Sequence, residues 1–595
     1  MRLRRVSGLA AMALATLLWM SCGEVYRPVV IPTNLTPPNP ANFHEVFSVN
    51  TNVPFNQGTA LQIDVSGDSE IGAANMGVNP THAAILPNNS RVFVASAGSL
   101  YAGDSDVVTS FTPASDSRIA TGLGTPQIFT YPNVGVGQSS SIVAISESGN
   151  VVTVTLSAAL SNAAVGMVIN ISSVSIAGYN GNFLISFVNG TTIEYQDSNT
   201  GLAAASNGNA TVPVTCSYLP DYVATAQNSA VFVANYGVEN APNCNLTSTD
   251  SVALLSPVLN IITNIGYLPA GSHPVAMTET PNALNLYVVN QAPNSLGFNT
   301  VTNLSPTDLS VQATINLGNV NANNMPTWAA TRPDGQRVYV LTQGDGQLYT
   351  INTATNTVMS NQSVGGAGAN FVLYDESLNR LYVTNPTAGV VYIFDATTDP
   401  PTQLAALNMS TGSNPPCPNG CSPVSVAALP DGSRFYVASY ATASSCPDTN
   451  VGASVACLIP MLTVFDAPSM TVKPAASTLL PTGPSLSLLT SPQFAATQYA
   501  VPVVPSCVPV ATYAPGSTRF RIFTTAAADG SHVYVAICDA GAIADIITTT
   551  TSISVNGNVT DTLVTDLLAP FSAAAPVPPS IQPVPQSPVF LLTGQ

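Results

Sequence analysis

Residues 423–437 read Pro-Val-Ser-Val-Ala-Ala-Leu-Pro-Asp-Gly-Ser-Arg-Phe-Tyr-Val. A proline opens the stretch, a second stands seven residues on, and the aromatic of an aromatic-Val pair stands thirteen on. The same frame recurs at Pro80, Pro87 and Phe93, at Pro274, Pro281 and Tyr287, and at Pro326, Pro333 and Tyr339. Phe232, Tyr382 and Tyr534 sit in the same setting, each before a Val, without the full proline frame. Strand one is read after the first proline. Pro333-Asp334-Gly335 and Pro430-Asp431-Gly432 supply the fixed φ and the permissive glycine of a tight reversal. Strand two carries the aromatic-Val pair. Strand three ends in Asn352, Asp395 or Asp466, each opening a polar turn into strand four. A unit of this period with few helix signals reads as sheets repeated about an axis.

The unit resembles the YVTN-type β-propeller repeat, and Tyr382-Val383-Thr384-Asn385 spells that motif. The resemblance covers most of residues 44–568. It implies an all-β propeller of four-stranded blades. Seven complete units begin near residues 80, 217, 272, 324, 367, 421 and 520. An incomplete unit precedes them, with Val46-Phe47 as strand two and Leu61-Gln62-Ile63-Asp64 as strand three. Its missing strand one can come from Pro588-Val589-Phe590-Leu591-Leu592, inside a closing strand 587–593. Eight blades are therefore preferred. Seven stays open, with the N-terminal strands merging into the last blade. The propeller is expected over 44–138 and 216–568, followed by a Pro-rich tail, 569–595. Residues 139–215 break the period. They alternate strongly (Val151 to Leu156, Phe183 to Phe187) and carry an Asn180-Gly181 hairpin signal, so they read as a small inserted β domain.

The N-terminus has a basic start (Arg2, Arg4, Arg5) and an apolar run from Leu9 to Met20, too short to span a bilayer comfortably. It ends at Ser21-Cys22-Gly23. This resembles a bacterial lipoprotein signal over residues 1–21, which implies a lipidated Cys22 as the mature N-terminus. Trp19 stands where that motif usually has Leu. Residues 22–43 are a Pro- and Asn-rich tether. The remaining eight cysteines, an even number in an exported chain, read as disulfides. Sequence-local pairs would be Cys216–Cys244, Cys417–Cys421, Cys446–Cys457 and Cys507–Cys538. Cys417 and Cys421 can instead each reach Cys446 or Cys457.

Charged residues are only 7% of the chain, and 30 acids stand against 13 bases for a formal charge of -17. Nucleic acid is excluded as a partner, because phosphate binding needs clustered Lys and Arg. No GxSxG elbow, HExxH helix or P-loop occurs. Of the four histidines, His44, His82, His273 and His532, the pair His82 and His273 lies near the start of a first strand and can point toward a central channel. Both read as hydrogen-bonded or blade-edge residues. Asp104, Asp106 and Asp345 read as solvated turns. Trp328 reads as packing between blades. No metal, cofactor or catalytic residue is expected, and the chain reads as a non-enzyme.

In a four-stranded blade, the loop from strand two to three and the crossover to the next blade share a face. All eight cysteines map there, with the insert and the longest loops, 237–250 and 440–458. Recognition is expected on that face. The opposite face, with its Pro-Asp-Gly turns, is expected to be too tight for a pocket. The resulting reading is a lipid-anchored envelope protein that binds an unknown envelope protein or glycan and meets the membrane through its anchor. An outer-membrane or cell-surface location is expected, otherwise a periplasmic or secreted one. The alternatives are a structural or adhesive surface component, or a lactonase-like or quinoprotein-like propeller enzyme.

Overall fold

A computed structural model describes most of residues 45–594, apart from 99–106, 114–125, 473–484, 488–499, 549–561, 569–586 and several shorter loop segments. The signal segment 1–21, Cys22, the tether 22–43, His44, Asp104, Asp106, Cys244 and most of the tail lie outside the described residues.

Eight four-stranded antiparallel sheets form the blades of a propeller. Blade 1 joins both ends of the chain: Ser587–Thr593 is its inner strand and pairs with Glu45–Thr51, outside which lie Gln57–Asp64 and Ser69–Val78. The other inner strands, in ring order, are Pro80–Ile85, Pro220–Thr225, Pro274–Glu279, Pro326–Thr331, Phe371–Asp375, Ser422–Ala428 and Ile522–Ala526. Blade 7 carries two short additional strands on its third strand, Cys457–Asp466.

The repeated residues each have a mechanical task. Phe47, Phe93, Phe232, Tyr287, Tyr339, Tyr382, Tyr436 and Tyr534 occupy one position of the second strand in all eight blades, and all are fully buried. They are the wedges between sheets. Tyr287 also donates its hydroxyl to Asn356 Oδ1 of the next blade, at 2.8 Å. The prolines open the inner strands, where a missing N–H is tolerated. In blades 2, 3, 4, 5 and 7 the register slips between that proline and the residue two positions on, a bulge that re-aims the side chains after it. Third strands end in Asx turns: Asp395 Oδ1 accepts the Thr397 amide at 2.8 Å, and Asn352 Oδ1 that of Ala354 at 2.9 Å.

Between blades 2 and 3 the chain makes a closed six-stranded barrel from strands within Gln138–Val212. Its core, with Val152, Tyr179, Ile193 and Tyr195, contains insert residues only. Because it interrupts a crossover, it leaves the propeller's own sheets intact.

Disulfides join Cys417 to Cys421, Cys446 to Cys457 and Cys507 to Cys538, with Cα separations of 5.8, 5.3 and 5.7 Å. Cys216 is also disulfide-bonded. Such bonds fit an oxidising compartment outside the cytoplasm.

Candidate functional site

One inner-strand position, identified by its register partner in the second strand, builds the centre of the ring. Around the eight blades it holds Phe590, His82, Tyr222, Ala276, Trp328, Phe371, Ser425 and Phe523. Six of the eight are aromatic, and they touch in a closed circuit. Ring centroids are 3.8 Å apart from His82 to Tyr222, 5.4 Å from Tyr222 to Trp328 and 5.4 Å from Trp328 to Phe371. They are 5.6 Å apart from Phe371 to Phe523, 4.6 Å from Phe523 to Phe590 and 4.3 Å from Phe590 back to His82. The small residues Ala276 and Ser425 let their flanking neighbours meet. The result is an aromatic septum across the channel. Trp328, expected between blades, is one of its members.

On the crossover side, a segment leading into blade 8 backs the septum. Phe520 packs on Trp328, Phe371 and Phe523 at 5.3, 5.7 and 5.0 Å. Arg519 lies over the Tyr513 ring at 4.2 Å and the Trp328 ring at 5.5 Å. Its guanidinium donates to Asp221 Oδ2 at 2.9 Å and to Val275 O at 3.0 Å. Tyr513 donates its hydroxyl to Asp221 Oδ1. Burial raises the Asp221 carboxyl above its usual range, outweighing Arg519 and Tyr513. The Cys507–Cys538 disulfide fastens this segment to blade 8.

On the other side, a cavity of about 1060 Å³ opens at the strand one–strand two turns. Its walls are low because most side chains two positions beyond the septum are small: Ala84, Ala224, Thr278, Ala330, Ala427 and Thr525. The funnel is thus blind, floored by aromatic rings and open at one end. This corrects the expectation that the Pro-Asp-Gly face is too tight to hold a pocket. The turns themselves are tight, but they stand around the channel mouth without closing it. The loop-rich face, by contrast, is where the channel is plugged.

Glu279 is the distinctive wall residue. It ends the inner strand of blade 4, at the repeat position that holds Ile85, Thr331 and Ala428 in the other full copies. Met277, two residues earlier, packs with residues of blade 3, so alternation turns Glu279 toward the same side. Its Oε1 is buried without a hydrogen-bond partner. Burial pushes its carboxyl up to about 7. Asp375, also in the wall, is committed: Oδ1 accepts the Ser377 amide at 2.9 Å and Oδ2 the Tyr382 hydroxyl at 3.3 Å. No Lys or Arg is among the described residues that line the cavity.

The two channel-end histidines separate in role. His82 belongs to the septum. Its Nδ1 accepts the Val223 amide at 3.3 Å, and burial, helped by the Arg519 charge, pushes its pKa well below the ordinary value, so the ring is neutral. His273 lies at the crossover end with φ 49°, stacked on Tyr236 at 4.3 Å. Its Nδ1 is 3.2 Å from Asp250 Oδ1 and 2.9 Å from Tyr236 O. Burial alone would lower its pKa, but Asp250 and Tyr236 O outweigh burial and the net shift is upward. His532 pairs with Ser531 Oγ at 2.8 Å in blade 8. Asp345 accepts the Thr342 hydroxyl in its own turn. The sequence reading missed Glu279 and the septum. The signal for Glu279 was a carboxylate at a repeat position that is otherwise Ile, Thr or Ala.

No family model and no curated protein matches the chain. Similar solved structures include a putative 6-phosphogluconolactonase of Bacteroides fragilis, at 12% identity over 73% of this chain and 94% of that one, TM-score 0.39. The periplasmic gluconolactonase of Pseudomonas aeruginosa is 13% identical over 67% of this chain and 96% of that one, TM-score 0.35. A dihydro-heme d1 dehydrogenase, NirN, is 10% identical over 89% and 76%, TM-score 0.40. The likeness is one of architecture, and no residue role is taken from it. These proteins are named for enzyme activities, against which the expectation that the chain is a non-enzyme is not kept; what they do is said of them alone.

Proposed function

We propose that the blind funnel is a substrate site and that the chain is a lactonase-like propeller enzyme. The observation that carries the reading is the funnel itself: an aromatic floor, small-residue walls and, among the lining residues, Glu279 with its carboxyl raised by burial. Apolar cavities with a few polar groups are where small molecules bind. A carboxyl that titrates near neutral pH suits proton transfer. A ring-shaped substrate would lie on the septum. As carboxylate, Glu279 would take a proton from a water as the water oxygen bonds to the carbonyl carbon of a cyclic ester. The ring C–O bond then breaks, and the leaving oxygen takes that proton back, giving a hydroxy acid.

The test is pH-stat hydrolysis of glucono-δ-lactone and other uncharged lactones, above the spontaneous rate. Turnover should be lost in Ala84→Trp and in Ala330→Trp, each of which fills the funnel from a different wall. Turnover unaffected by both substitutions, or ring binding with no turnover of any lactone, would overturn the enzyme reading.

The same proposal places the protein in the cell envelope through a lipidated Cys22, as the leader sequence and the disulfides favour. The intact mass of the mature N-terminus checks this: an unmodified terminus downstream of Cys22 removes the anchor.

A further inference from the structure

The charges around the funnel select among substrates. Glu279 and Asp375 are in its wall and the exposed Glu376 is at its mouth. Two cations at the ends of the channel are already engaged. Arg519 is on the far side of the septum, held by Asp221 and Val275 O. Arg332, in the turns of the same face, is bound to Asp334 at 2.8 Å and Asp399 at 3.2 Å. His82 is neutral. An anion entering here would leave its water for a cavity with acidic side chains and no opposing charge, which is strongly unfavourable. An ammonium group, by contrast, would meet the aromatic floor favourably.

We infer that the funnel accepts uncharged or cationic rings and rejects phosphorylated or carboxylated ones, so that a neutral substrate enters and the acid made from it is expelled. This rests on the funnel being a substrate site. It narrows the substrate class to neutral cyclic esters, and it makes the negative wall the device that clears the product. The hydroxy acid made by that hydrolysis ionises, releasing its proton to water, and leaves one carboxylate inside a space that has no group to hold it. Release then needs no conformational opening, because the product's own charge disfavours its staying.

The experiment separates charge from shape with three pyranoses of one size: glucose, glucuronate and glucosamine. Binding is read by the fluorescence of Trp328, which lies in the septum and is, with Trp19 of the leader, one of two tryptophans in the sequence. Glucose should bind at least tenfold tighter than glucuronate at low salt, and glucosamine at least as tightly as glucose. The gap should shrink severalfold with added salt and in Glu376→Lys, which puts a cation at the mouth. Glucuronate binding as tightly as glucose overturns the charge selection while leaving the funnel reading intact. Failure of all three to perturb Trp328, and of glucose to compete with lactone turnover, overturns both.

Discussion

Glu279→Gln is expected to leave a protein that is more stable than the parent above pH 7 and hydrolytically crippled. The sign follows from the direction of the shift. The carboxyl titrates near 4.5 in an unfolded chain and is raised to about 7 in the folded one. Below 4.5 it is protonated in both states, and its contribution to stability is fully present. Between the two values the unfolded chain ionises and the folded one does not, so stability falls as pH rises. Above the folded value the loss is complete, on the order of 3 kcal/mol. Glutamine cannot ionise, so the variant should lose less stability than the parent between pH 5 and pH 8. Urea midpoints at those two pH values measure it. Equal losses in parent and variant would mean that the carboxyl is not held as described. Lactone turnover should fall about 10²- to 10⁴-fold, the usual contribution of a general base. A group retained against its own stability cost is more easily explained by chemistry than by packing.

Arg519→Ala should be among the most damaging single changes in the chain. It would leave Asp221, whose side chain is fully buried, with Tyr513 as its only side-chain partner among the described residues. Breaking a buried pair by removing one member costs about 3–5 kcal/mol. The septum would also lose the cation under Trp328. Replacing both partners, Asp221→Asn with Arg519→Met, should recover most of that loss, because no uncompensated charge remains. Denaturation midpoints of the single and double variants check the sign of the coupling. A loss below about 1 kcal/mol in the single variant would show that the pair is too wet to matter.

The blades were legible because the same residue types recur at the same tasks. Proline starts most inner strands, Asp-Gly reverses three of them, and an aromatic wedge, followed by Val in seven of the eight blades, fills the space to the next sheet. Eight blades could be preferred because the first unit had strands two and three but no strand one, a place that Ser587–Thr593 occupies. The site was far less legible. The septum is a repeat position too, but Phe371 and Phe523 come from copies without the full proline frame, and alignment by proline alone does not bring them into line with His82 and Trp328. The funnel is made by residues that look unremarked in a sequence. Ala84, Ala224, Ala330 and Ala427 read as bland strand residues, and only their convergence on one axis makes them a cavity. Loop length pointed to the face opposite the one where the cavity opens, for a physical reason. Long loops are free to fill a channel as well as to reach a partner, and here the segment before blade 8 fills it.

Blade 1 carries a consequence for the order in which the molecule is made. Synthesis delivers the strands of blades 2 to 8 before Ser587–Thr593 exists. Val46 must then find Thr593, the most distant contact in chain terms that the sheet contains. Contacts of such separation form late. The same late strand brings Phe590, without which the floor has a gap between Phe523 and His82. A copy lacking that strand would therefore have an open ring and an incomplete floor together. One strand, Ser587–Thr593, thus completes the ring and its floor in a single step, so neither can form without the other.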